Sequence, residues 1–61
     1  MDEFTLYLNS INDIEELNDI KEEIKNQVIN SEITWQERIE LYRRVRSINL
    51  RIKQLEDTVQ P

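Results

Sequence analysis

None of the 61 residues is glycine, and the one proline stands last. A chain without glycine has no residue that takes positive φ freely. Phosphate-cradling loops and dinucleotide fingerprints, which are built on glycine, are therefore missing. Two-residue turns between strands need positive φ and are disfavoured for the same reason. Alanine is absent as well, although it is the best helix former, and folding physics offers no reason for that. Ile, Asn, Lys and Glu are abundant instead, as an AT-rich coding sequence would give. That points to a low-GC bacterium or its phage.

Cysteine and histidine are also missing. Disulfides, zinc sites and thiolate or imidazole catalysis are thereby excluded. A chain of 7.5 kDa makes one small domain, 1–61, whose core supplies about 3–5 kcal/mol. With no covalent or metal staple, oligomerisation is the remaining way to add core. The balance of 34% charged and 38% apolar residues suits a folded, charge-rich helical protein. No apolar run approaches the ~20 residues of a membrane span, and Asp2 and Glu3 stand where a signal peptide would carry bases. A cytoplasmic location is expected.

Helix signals fill the sequence. Thr34-Trp35-Gln36-Glu37 has the form of a capping box, with a hydroxyl at the cap and a carboxylate three residues on. Val45, Ile48, Ile52, Leu55 and Val59 then follow at alternating steps of 3 and 4, a heptad seam. Trp35, Ile39 and Tyr42 form a second stripe, roughly 100° round the same helix. So wide an apolar arc asks for more than one neighbour. This spacing predicts a helix over 34–58. Upstream, Ile14, Leu17, Ile20, Ile24 and Val28 predict a helix over 13–29, started by Asn12 with Glu15 and ended at Asn30. Residues 30–33 form the turn. In 1–11, Phe4, Leu8 and Ile11 fit a helix, and Phe4, Leu6 and Leu8 fit a strand. A lone strand would have no partner, so a short helix over 2–9 is expected, with a break near Asn9–Asn12.

The fold expected is all-α: an antiparallel helical hairpin with a short N-terminal helix, completed by dimerisation into a bundle through Ile48, Ile52, Leu55 and Val59. Folding about residues 31 and 32 sets Ile24 opposite residue 39, Ile20 opposite 43 and Leu17 opposite 46. The acids Asp13, Glu15, Glu16, Asp19, Glu22 and Glu23 then lie beside Arg38, Arg43, Arg44, Arg46, Arg51 and Lys53. On this reading the acidic helix compensates the conspicuous Tyr42-Arg43-Arg44-Val45-Arg46 cluster. The alternative is a grip on nucleic acid, with Arg44 and Arg51 in one row and Arg46 and Lys53 in another. A net charge of −5 and a pI near 4.6 count against it.

No catalytic, cofactor-binding or metal-binding residues are expected. The carboxylates lie off the apolar stripes without histidine beside them, and Ser10, Ser31 and Ser47 have no base nearby. Trp35, Ile39, Tyr42, Arg43, Arg46 and Leu50 are the candidate partner-binding residues, since Trp, Tyr and Arg dominate binding hot spots. The sequence thus points to a non-enzymatic interaction protein, a regulator or inhibitor that binds another macromolecule, with a protein as the expected partner. The alternatives are an RNA- or DNA-binding hairpin dimer using the Arg43–Lys53 face, and a structural or assembly factor.

Overall fold

The computed structural model describes residues 2–59, with the side chains of Thr58 and Val59 left aside. Among the described residues it is all-helical, with helices α1 (Glu3–Asn9), α2 (Ile14–Val28) and α3 (Trp35–Val59) and no strand.

Each helix starts on a side-chain oxygen. Asp2 Oδ1 accepts from the Thr5 amide at 2.8 Å, and this cap settles the ambiguous first segment as helix. Asp13 caps α2, its Oδ1 accepting from the Glu15 amide at 3.0 Å. The expected cap, Asn12, is one residue too early, because its side-chain oxygen is engaged elsewhere. At α3 both bonds of the capping box are present. The Glu37 amide donates to Thr34 Oγ1 at 3.1 Å, and the Thr34 amide donates to Glu37 Oε2 at 3.4 Å.

The helix ends show how a chain without glycine stops. Among the described residues no backbone takes positive φ, so neither α1 nor α2 ends in the left-handed residue that commonly closes a helix. The last turns tighten instead. Ser10 and Ile11 amides bond to Tyr7 O and Leu8 O, and the Asn30 amide to Gln27 O, all three residues back. Asn30 does not take the left-handed conformation of a terminating residue; beyond its own amide bond to Gln27 O, its Oδ1 turns the chain by accepting from the Glu32 amide at 3.0 Å. Carbonyls are still left over at both ends, and two arginines of α3 reach them.

Packing centres on α3. Leu8, Ile11, Leu17, Ile24, Val28 and Ile48 form the buried core, with Phe4, Ile20, Leu41, Val45, Ile52 and Leu55 packed round it. Arg38 lies by Val28 and Lys21 by Asn49, so α2 and α3 run in opposite senses. Arg44 lies by Phe4 and Arg51 by Leu8, so α1 runs alongside α3 in the same sense. Lys21 meets Asn49, where folding about residues 31 and 32 would set it opposite Tyr42. The lysine's length covers part of this difference. The rest is a stagger of α2 toward the carboxyl end of α3, which brings α1 and α2 together over Ile48.

The molecule is drawn out, measuring 44 × 22 × 14 Å. Its radius of gyration is 12.6 Å, against about 10.5 Å for a compact globule of this length. It exposes 4892 Å², against about 4250 Å² expected for its mass. Its exposed large hydrophobic residues are Trp35, Ile39, Tyr42 and Leu50 on α3, Leu6 and Tyr7 on α1, and Ile29 just after α2.

Candidate interaction face

At about 100° per residue, Leu41, Val45, Ile48, Ile52 and Leu55 face α1 and α2. On the far side of the helix, Trp35, Ile39, Tyr42, Arg46 and Leu50 share an arc of about 80°, with Arg43 at its edge. The structure brings all six proposed partner-binding residues onto this one face and leaves them exposed. Trp35 is 66% accessible, Tyr42 57%, Leu50 56% and Ile39 42%. These stripes are not core. Trp35, Ile39 and Tyr42 are left outside the core because α1 and α2 both settle on the opposite side of α3.

The charge on this face is of one sign. From Trp35 to Lys53 its charged groups are Arg43, Arg46 and Lys53; of the acids in the same stretch, Glu40 projects to the flank and Glu37 toward the α2 side. Arg43 Nη1 approaches Glu40 Oε2 at 3.8 Å, an exposed pair of little energetic weight. Arg46 and Lys53 make no ion pair or hydrogen bond among the described residues.

The other bases of α3 are engaged within the chain, in a way the sequence reading missed. Arg51 lies across the end of α1. Its Nε donates to Leu8 O and Ile11 O, both at 3.2 Å, and its Nη2 to Asn9 O at 3.2 Å, Ile11 O at 3.1 Å and Asn12 Oδ1 at 2.9 Å. Arg38 does the same for α2, with Nε on Val28 O at 3.2 Å and Nη2 on Asn30 O at 3.3 Å. A cation at a helix C-terminus also meets the negative end of the dipole. Arg44 lies 5.3 Å above the Phe4 ring, within cation–π range. The two ion pairs among the described residues, Lys25–Glu22 and Arg43–Glu40, each lie within one helix. Acidic α2 therefore does not pair with basic α3; carbonyl oxygens and a ring hold Arg38, Arg44 and Arg51. The absence of glycine was the available signal, since helices that cannot end on glycine need outside donors for their last carbonyls.

The expected dimer seam is changed at one position. Ile48 is 0% exposed, enclosed by its own chain, and has no surface for a partner. Ile52 and Leu55 are half-buried against the same core. Val59 lies outside the described side chains. A separate open groove runs between α2 and α3, with half-buried Ile33 and Leu41 between Glu23, Glu37 and Arg44. No described group of His, Cys, Asp or Glu could hold a metal ion, and no described helix is long and apolar enough to cross a membrane.

Compared with known proteins, the chain matches no family model, no curated protein and no solved structure.

Proposed function

We propose that this is a non-enzymatic interaction protein, a small regulator or inhibitor that binds another protein through the outer face of α3. One observation carries the reading: Trp35, Ile39, Tyr42 and Leu50 stand exposed on a single helical face, interleaved with Arg43 and Arg46. A helix usually buries its apolar residues, and here one stripe is used inside the chain while a second faces outward. An exposed aromatic and arginine stripe has the composition of an interface hot spot. A helical hairpin completed by a second copy belongs to the same reading, supported by the drawn-out shape and the excess exposed area. A cytoplasmic protein of a low-GC bacterium or its phage is proposed on composition alone.

A nucleic-acid reading is favoured by Arg46 and Lys53, seven residues apart on the outer face and unengaged among the described residues. It is weakened because Arg51 and Arg44, the other row, are occupied inside the chain. The two readings separate in a pull-down from a low-GC bacterial lysate, with and without nuclease, using wild type, Trp35→Ala and Tyr42→Ala. A protein retained after nuclease by wild type and lost by both variants supports protein binding. Recovery abolished by nuclease transfers the face to nucleic acid. Equal recovery by all three chains contradicts the face altogether.

A further inference from the structure

We infer that the occupant of the outer face of α3 at rest is a second copy of this chain, its α3 lying antiparallel on the first. The inference rests on reading that face as an interaction surface, and names what covers it.

The seam positions are Trp35, Ile39, Tyr42, Arg46, Asn49 and Lys53, at steps of 4, 3, 4, 3 and 4. This order of steps is the same from either end, as a two-fold contact between identical helices requires. A two-fold axis level with Arg44 sets Trp35 against the partner's Lys53, Tyr42 against the partner's Arg46, and Ile39 against the partner's Asn49, whose Oδ1 already accepts from Lys21 of its own α2, with Leu50 beside it. Alternate seam positions oppose one another in this way in antiparallel coiled coils. Both aromatic rings of the amino-terminal half then meet cations of the carboxyl-terminal half, which is favourable when the pair is desolvated. The order of residues, apolar and aromatic first and cationic after, is thus complementary to its own reverse.

Other arrangements of two copies fit less well. The outward side of α2 presents Glu15, Asp19 and Glu22, with a single apolar residue, exposed Ile29, at its very end, so it could attract the bases but leave Trp35, Ile39 and Tyr42 largely uncovered. A parallel pairing of α3 sets Arg46 against Arg46 and Lys53 against Lys53. The antiparallel arrangement has one unfavourable feature. Arg43 comes near its own counterpart across the axis, each held only by its exposed Glu40. The protein partner of the proposed function must then displace the second copy, so dimerisation regulates access to the face.

The absence of cysteine makes the test clean. Sedimentation equilibrium should give a dimer for wild type at micromolar concentration, and monomers for Trp35→Ala and Tyr42→Ala with unchanged helicity. Arg43→Gln removes the like-charge approach and should tighten the dimer about two- to fivefold. Arg43→Cys lies about 3 Å along the axis from its counterpart and Gln36→Cys about 24 Å. Mild oxidation should therefore cross-link the first and spare the second. A monomeric wild type at about 100 µM, cross-linking at Gln36→Cys, or a dimer weakened by Arg43→Gln overturns the inference. The last result would indicate an acidic surface on the other side. A monomeric chain whose Trp35→Ala variant still loses its protein in the pull-down defeats this inference and leaves the proposed function standing. A dimer whose variants lose nothing does the reverse.

Discussion

Among the described residues, Arg51 makes more hydrogen bonds to a distant part of the chain than Arg38 or Lys21. Its guanidinium binds Leu8, Asn9, Ile11 and Asn12, closing the end of α1 and fixing the link to α2. Its planar fork reaches several carbonyls at once, which an ammonium group cannot do. Arg51→Ala should cost about 1.5–3 kcal/mol in urea unfolding, the range for hydrogen bonds to a charged group, and Arg51→Lys should recover little of it. The acceptors are neutral oxygens, so the loss should persist at about 0.5 M salt. A loss that vanished there would mean that exposed ion pairs hold the segment. Asp2 gives a pH test. Hydrogen bonds from the Thr5 backbone amide first, and then from its side chain, hold the Asp2 carboxyl below its ordinary value of 3.8. The folded value is depressed, so this cap stabilises α1 above pH 3.8 and is lost as pH falls through the lower folded value. Protection of the Thr5 amide, taken relative to its intrinsic exchange rate at each pH, should fall on acidification while protection of α3 amides is kept. These residue-scale facts differ in how legible they are. Thr34 and Glu37 stand three apart, and their bond follows from local geometry. Arg51 and its acceptors lie about forty residues apart, and nothing in the local pattern links them.

At the scale of elements, hydrophobic period and cap residues located α2 and α3, and α3 runs to Val59. The first segment was ambiguous because apolar residues at 4, 6 and 8 alternate while 4, 8 and 11 follow a helix. Asp2 was the cap that decided it. The sequence also showed that α3 has two apolar stripes. It did not show which stripe the rest of the chain would cover, since that depends on how α2 is staggered and where α1 docks. Two substitutions measure these elements. Thr34→Ala removes the capping box and should cost about 0.5–2 kcal/mol; an unchanged denaturation midpoint would place the start of α3 elsewhere. Leu8→Ala empties a fully buried site and should cost about 2–5 kcal/mol. A cost near zero would show that α1 does not pack on α3.

The whole molecule has two sides of different character. Acids line the outward side of α2, and the outward side of α3 carries three bases among exposed aromatic and aliphatic groups. The net charge of −5 conceals this, because the acids are concentrated away from that one face. The basic residues of α3 accordingly fall into two sets. Arg38 and Arg51 at helix ends and Arg44 over Phe4 are engaged within the chain, and Arg43, Arg46 and Lys53 belong to the interaction face. An NMR spectrum of the arginine Nε–H groups near neutral pH tests this division directly. Nε of Arg38 and of Arg51 donates to part-buried carbonyls, so both should give sharp signals that exchange slowly with water. Arg43 and Arg46 should be broadened or lost through fast exchange in variants such as Tyr42→Ala that keep the face free. Slow exchange confined to Arg38 and Arg51 is the expected result; four alike, or Arg46 protected while Arg51 is not, would contradict it.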